Sequence, residues 1–265
     1  MLFSTDIGID LGTATVLVYV RGKGIVLNEP AVVAVDQYTE KVLAVGAAAH
    51  KMLGRTPGNI AAIRPLREGV IADFDITEVM LKHYLTMAME RRRLLRPRVI
   101  VCIPTGITPV EQKAVLEALA RTGAREIFLI EEPRAAALGA GLEIFKPGGT
   151  MIVDIGGGTT DMAVISMGEI VESASVRIGG NKLDESIIRY VKNKFNILIG
   201  ERTAEQLKIA IGSAYPESRR LEGEVRGRDL LTGLPRPANL TTEQVARAME
   251  DSVRTILSGV KQVLE

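Results

Sequence analysis

The chain has no tryptophan, and aromatic residues make up only 4% of its 265 positions, which removes the stacking platform that single-stranded nucleic acid binding needs. Nor is there an excess of one charge. The 33 basic residues face 32 acidic ones, so bulk electrostatics gives no reason to expect a nucleic acid partner. One cysteine, Cys102, excludes an intrachain disulfide and favours a reducing compartment. It lies in the apolar run Val99-Ile100-Val101-Cys102-Ile103, where a buried, inert thiol is expected. No stretch approaches the roughly 20 apolar residues of a membrane-spanning helix. Asp6 comes too early for a signal peptide. These absences point to a cytoplasmic protein. His50 and His83 have no cysteine or acidic residue at ligand spacing, so a histidine metal site is not expected, and His83 is assigned to the apolar stripe of a helix.

Glycine, by contrast, is abundant, with 26 residues, and part of it falls in a repeated pattern. Asp10-Leu11-Gly12-Thr13-Ala14-Thr15 and Asp154-Ile155-Gly156-Gly157-Gly158-Thr159-Thr160-Asp161 each join two apolar, strand-like runs. One such stretch would read as an ordinary turn, because Gly, Asp and Thr are turn residues. Two copies in strand–turn–strand context favour a duplicated device. Small residues let backbone N–H groups converge on an anion without Cβ obstruction, and threonine hydroxyls add donors. An aspartate ending each strand suits a hydrated Mg²⁺ held through its waters, at Asp10 and Asp154. Neither copy reads GxxxxGK[ST] and neither opens straight into a helix, which argues against a P-loop and a Rossmann fingerprint. Two hairpins holding one polyphosphate is the first expectation.

Along the chain, strand-like runs at 6–11, 16–21, 25–27 and 31–35 predict an antiparallel meander. The glycine- and proline-punctuated stretch 41–67 predicts a small inserted subdomain. Val79, Met80, His83, Tyr84 and Met87 give helical spacing with one apolar stripe. A strand over 98–103 precedes Thr108-Pro109-Val110-Glu111, a capping box with proline at the first helical position, and Gly123 supplies that helix's stop. Val115, Leu116 and Leu119 line its inner face. The alanines within 134–141 predict close packing of a helix on a sheet. After Gly179-Gly180 a helix carries Leu183, Ile187, Ile188, Val191 and Phe195 on one side, Thr203 with Gln206 is expected to cap another, and Thr241 with Gln244 a last one carrying Val245, Met249, Ile256, Val260 and Leu264. Periodicity still running at Glu265 suggests a fragment of a longer protein.

Taken with Asn28-Glu29-Pro30, Ala62-Ile63-Arg64-Pro65-Leu66, Gly69-Val70-Ile71-Ala72-Asp73-Phe74, Glu131-Glu132-Pro133 and Ile199-Gly200-Glu201-Arg202-Thr203-Ala204-Glu205, the two hairpins make the chain resemble the actin-like ATPase superfamily, and within it the MreB/Mbl family of rod-shape-determining bacterial actins. The resemblance implies an α/β, ribonuclease-H-like actin fold: two lobes and four subdomains around a nucleotide cleft. It places subdomain IA at 1–32 and 66–144, IB at 33–65, an incomplete IIA at 145–180 and 242–265, and IIB at 181–241. It implies ATP and Mg²⁺ as cofactors and a slow ATPase coupled to polymerisation. Under it Asp10, Gly12, Thr13, Ala14 and Thr15 hold the phosphates from one side, and Asp154, Gly156, Gly157, Gly158, Thr159 and Thr160 from the other. Thr15 stands where most of the family has asparagine. Glu132 becomes the water-polarising acid, assisted by Thr159, which suits phosphoryl transfer, where catalysis is mostly positioning and charge neutralisation. Gly180, Glu205, Gln206, Leu207 and Lys208 fall on the ribose and adenine side. A C-terminal part that completes the base pocket in the family would be missing, which predicts weak ATP binding.

The arginine-rich segment Glu90-Arg91-Arg92-Arg93-Leu94-Leu95-Arg96-Pro97-Arg98 reads on pattern alone as a helix end complementing its dipole. The resemblance instead implies a membrane-dipping tip at Leu94 and Leu95, joined by Met1, Leu2 and Phe3. Implied partners are further copies of the chain, an anionic membrane surface at the inner face of the cell membrane, and membrane-bound morphogenesis and cell-wall synthesis proteins. A small-molecule kinase and a DnaK-type chaperone nucleotide-binding domain share the hairpins and are the alternatives; the first would need an acceptor pocket, and no candidate base other than Glu132 is visible.

Overall fold

A computed structural model describes residues 5–53, 58–89 and 96–265. In its first strand, β1 (Asp6–Leu11), strict alternation buries Ile7, Ile9 and Leu11, and β2 (Thr15–Val20) answers with Val16, Val18 and Val20. The pair is antiparallel, with Leu11 opposite Val16 and Ile7 opposite Val20, and β3 (Gly24–Pro30) extends the meander. The expected fourth strand leaves it. Every residue of 31–35 is buried, so β4 (Val33–Asp36) has two apolar faces rather than one: Val33 and Val35 join the main core while Val32 and Ala34 join a small one with Ala49. It forms a separate sheet, in the order β5-β4-β6, with β5 (Val42–Val45) and β6 (Ile60–Ile63), and α1 (Ala47–His50) covers it. This is the region read as a small insertion.

A two-stranded ribbon of β7 (Leu66–Arg67) and β8 (Val70–Ile71) turns through Glu68 and Gly69, both at positive φ. Helix α2 (Phe74–Met89) then buries Thr77, Met80, Leu81, Tyr84, Leu85 and Ala88. The expected stripe is displaced: Val79, Met87 and His83 are exposed. The helix has more apolar residues than one face accommodates, and the small Thr77 and Ala88 let the neighbouring stripe approach the sheet more closely. The Tyr84 hydroxyl fixes that choice by donating to the Pro30 carbonyl at 2.8 Å.

Strands β9 (Arg98–Ile103) and β10 (Glu126–Glu131) add in parallel beside β1, giving the order β10-β9-β1-β2-β3. Between them α3 (Pro109–Arg121) has both reciprocal hydrogen bonds of the Thr108–Glu111 capping box and ends before Gly123 at φ 92°. It buries Val115, Ala118 and Leu119, with Leu116 only partly covered. Helix α4 (Glu132–Gly139) leads to a second antiparallel meander, β11 (Thr150–Ile155), β12 (Thr160–Ser166) and β13 (Glu169–Val176).

The chain divides after Arg177 into two compact units. The second begins with α5 (Gly180–Phe195), stopped by Asn196 in the left-handed region, followed by β14 (Ile197–Leu198) and α6 (Glu201–Ile211). The expected Thr203–Gln206 cap is absent: α6 starts three residues earlier, with extended Gly200 at its N-cap and Glu201 in the first turn, so Thr203 is already helical. Strands β15 (Glu222–Asp229) and β16 (Pro235–Thr241) complete a sheet β14-β15-β16. Pro235 and Pro237 are tolerated because β16 is an edge strand. Helix α7 (Thr242–Leu264) has the expected Thr241–Gln244 box, but Val263 is buried at its end and Leu264 exposed. Ile187, Val191, Leu207, Leu240 and Val245 form this unit's core.

Candidate functional site

Both glycine–threonine hairpins lie in the first unit and open onto one cavity of about 310 Å³. Asp10, Gly12, Thr13, Ala14 and Thr15 line it from the β1–β2 turn, and Asp154, Gly156, Gly157, Gly158 and Thr159 from the β11–β12 turn. The glycines are a steric requirement. A Cβ on Gly157 would lie 2.5 Å from Ala14 Cβ, one on Gly158 2.5 Å from Thr13 Oγ1, and one on Gly12 2.7 Å from the Thr15 carbonyl oxygen. The second turn closes with a Gly156 N–H bond to the Thr159 carbonyl at 2.9 Å. Strand register brings Asp10 opposite Leu17, and Asp154 opposite Asp161.

The cavity is acidic and poorly solvated. Burial, and secondarily the Asp154 charge, raises the Asp10 carboxyl above its ordinary value; burial and then Asp161 raise Asp154. Glu132 is pushed up to about 8, first by burial and then by Asp161, Asp10 and Asp154. Its position follows from α4: Glu131 is the extended N-cap residue and pairs with Arg134 at 3.5 Å, whereas Glu132, the first helical residue before Pro133, faces the cavity. Asp161 is fully buried; its Oδ1 accepts from the Thr105 N–H at 2.8 Å and the Thr105 hydroxyl at 3.0 Å, and its Oδ2 has no hydrogen-bond partner. Two desolvated carboxylates at the strand ends, unneutralised by any cation among the described side chains lining the cavity, suit a hard divalent ion that keeps most of its water. No group of three or more His, Cys, Asp or Glu that could hold a metal ion is found among the described residues.

Cys102 also lines the cavity and is only partly buried, but burial and the neighbouring carboxylates push its thiol up to about 12, so it stays protonated. Ala135 and Ala136 line the cavity too, where the alanine run was expected only to permit packing; Ala137 meets that expectation, fully buried beside Ala163 and Ile165. Gly69 is the further lining residue that was not anticipated; a glycine there marks a turn, but nothing local marks it as lining a site.

Thr160 is fully buried in β12 and does not line the cavity. Gly180, Glu205, Gln206, Leu207 and Lys208 belong to the second unit. Gly180 opens α5, and Lys208 Nζ lies 2.9 Å from both the Gly180 carbonyl oxygen and Asp184 Oδ1. Lys208 thus pairs with Asp184, not with the exposed Glu205. Burial raises the Asp184 carboxyl, and Lys208 opposes that rise. Gln206 is exposed, and the Leu207 side chain is in the unit's core. Leu94 and Leu95, like Met1 to Phe3, lie outside the described residues. No helix among those described is long and apolar enough to cross a membrane.

The family model described as MreB/Mbl protein matches residues 4–265. The cell shape-determining protein Mbl of Bacillus subtilis is 54% identical over 264 residues, covering 100% of this chain and 79% of the relative. The cell shape-determining protein MreB of Escherichia coli K12 is 53% identical over 270 residues, covering 100% and 78%. Among solved structures, MreB5 of Spiroplasma citri bound to ADP superposes with a TM-score of 0.92 at 39% identity, covering 98% of this chain and 78% of that one. Its complex with AMPPNP gives 0.91 at 38% identity with the same coverage. The MamK double helical filament, at 20% identity and a TM-score of 0.80, supports the fold alone. The chain therefore has an actin-like fold and belongs to the MreB/Mbl family.

Proposed function

We propose that the chain is an ATP-binding, slowly hydrolysing bacterial actin whose membrane-associated filaments organise cell-wall synthesis and maintain rod shape. The observation that carries this reading is the convergence of both hairpins and Glu132 on one cavity. Support comes from relatives named as cell shape-determining proteins and from MreB5 structures bound to ADP and AMPPNP. Backbone N–H groups of 12–15 and 156–159 cradle the phosphates, with Thr13, Thr15 and Thr159 as hydroxyl donors and Thr160 supporting the strand behind them. Asp10 and Asp154 would hold a hydrated Mg²⁺, which would supply charge neutralisation. In its ionised form, which neutralisation of the Asp10 and Asp154 charges would favour, Glu132 accepts the proton of the attacking water, and Thr159 fixes that water's position. Gly180, Glu205, Gln206, the Leu207 backbone and Lys208 serve the adenosine side.

Subdomain IB at 33–65 is supported by its own sheet and small core; we retain IA at 1–32 and 66–144, IIA at 145–180 and 242–265, and IIB at 181–241. Leu94 and Leu95 insert into the membrane, flanked by arginines. At ~0.8 kcal/mol per buried CH₂ and ~1 kcal/mol per arginine near anionic lipid, a single copy binds marginally. Polymerisation makes neighbouring insertions intramolecular, so the filament binds firmly and lies at the inner face of the cell membrane beside membrane-bound morphogenesis proteins. Sedimentation with and without ATP·Mg, read together with electron microscopy on an anionic lipid monolayer, tests the proposal. Nucleotide-dependent filaments lying on the lipid are expected; a chain that stays monomeric in ATP on lipid contradicts it.

A further inference from the structure

The helix that carries Glu132 begins with little local support. α4 has eight residues, Glu132 is its first, and the N-cap residue Glu131 makes no side-chain cap bond. An uncapped first turn leaves backbone N–H groups unmet and frays. The later part of α4 is fixed, because Ala137 is buried among Ile144, Ala163 and Ile165. Around the first turns the residues divide: Glu132, Ala135 and Ala136 line the cavity, and Arg134 does not. A cation at this end opposes the helix dipole, so helix preference gives arginine no reason to stand here. Its partners do. Arg134 Nε lies 3.5 Å from Glu131 Oε2, at the end of β10, and a terminal nitrogen of the same side chain donates to Glu169 Oε2 at 3.2 Å, at the start of β13. One guanidinium therefore ties together the last residue of a strand in the five-stranded sheet, the first turn of α4 and the second meander. Arginine's planar fork suits two carboxylates, whereas lysine is a point charge.

We propose that Arg134 is a positioning residue for ATP hydrolysis: by strapping α4 to Glu131 and Glu169 it holds the first helical turn, and with it the Glu132 carboxylate, against the cavity. The inference rests on the nucleotide reading of that cavity. Because Arg134 does not line it, loss of the strap lowers the fraction of bound ATP that meets a correctly placed Glu132 and leaves the grip of the hairpins intact. Both ion pairs reach solvent, and each has small energetic weight. What they control is geometry, on which phosphoryl transfer depends.

The test separates binding from turnover. ATP·Mg is titrated calorimetrically into the whole chain as wild type, Arg134→Gln, Arg134→Lys, Glu169→Gln and the Arg134→Gln/Glu169→Gln double variant, and single-turnover hydrolysis and sedimentation are measured on the same proteins. Arg134→Gln should hydrolyse bound ATP about fivefold more slowly, the upper end of what an exposed ion pair contributes, with affinity within about twofold of wild type and the same yield of filaments. Arg134→Lys, which pairs with one carboxylate at a time, should recover part of the loss. Glu169→Gln should slow hydrolysis about twofold, and the double variant should be no slower than Arg134→Gln, as expected of groups in one network. The Glu169 side chain is 80% exposed, so its variant folds even if Arg134→Gln does not, and its turnover then decides. Wild-type turnover in Arg134→Gln or Glu169→Gln, an affinity loss that matches the loss of turnover, a fall in turnover that follows lost filaments, or additive losses would overturn the proposal while the nucleotide reading survives. A wild type that binds or hydrolyses no ATP would overturn both.

Discussion

Glu132→Gln should stabilise the nucleotide-free, metal-free protein at neutral pH while abolishing ATP hydrolysis. The carboxyl is displaced from 4.5 to about 8 by burial and by Asp161, Asp10 and Asp154. Because the folded value is raised, the folded state binds a proton that the unfolded chain has released, and stability falls as pH rises between these two values. Integrating that displacement gives a penalty of about 3 kcal/mol at pH 7 and only about 1 kcal/mol at pH 5. Glutamine keeps the shape and removes the ionisable group, so it should recover approximately those amounts. Urea unfolding of both proteins in a chelator at pH 5 and pH 7 measures the difference directly, and comparing the two pH values cancels effects of the amide itself. A gain that is equal at both pH values, or larger at pH 5, would refute the reasoning. Hydrolysis should be lost at both pH values, because the amide cannot accept the water proton.

Further outcomes follow from the same geometry. Gly158→Ala drives a methyl group to within 2.5 Å of Thr13 Oγ1, so ATP affinity measured by calorimetry should fall at least about tenfold; wild-type affinity would show that the hairpins do not need this approach. Thr241→Ala removes the capping box of α7 and should cost ~1 kcal/mol in urea unfolding, with no change in cavity chemistry. Leu94→Ser together with Leu95→Ser should release filaments from anionic liposomes in co-sedimentation while ATP turnover is preserved; undiminished co-sedimentation would reject the membrane assignment. Tyr84→Phe removes the hydrogen bond to the Pro30 carbonyl and should destabilise the first unit by about 1 kcal/mol, readable as faster hydrogen exchange in β3.

The hairpins were legible in the sequence because their requirement is local. Alternating Ile7, Ile9 and Leu11 against Val16, Val18 and Val20 fixes a strand pair whose turn is occupied by Gly12 and Thr13. The capping boxes at Thr108 and Thr241 were legible for the same reason. Where two packings compete the sequence was ambiguous: α2 has apolar residues on two adjacent stripes, and the choice of Met80 and Tyr84 over Val79 and Met87 depends on the Pro30 contact from a distant strand. The strands β15 and β16 are charged, glycine-containing or proline-containing, and only Val225, Ala238 and Leu240 mark their inner side. At Gly200, backbone geometry overrode the capping preference of Thr203. Gly69 and the Lys208–Asp184 pair depend on contacts between segments far apart in the chain, which periodicity does not report.

The central claim is that a single polyphosphate is held by both hairpins of the first unit. A crystal structure with magnesium and a non-hydrolysable ATP analogue tests it most directly. The account predicts phosphate oxygens within hydrogen-bond distance of backbone N–H groups from both 12–15 and 156–159, with Glu132 facing the terminal phosphate. Phosphates bound by one hairpin alone, or outside the cavity, would contradict it.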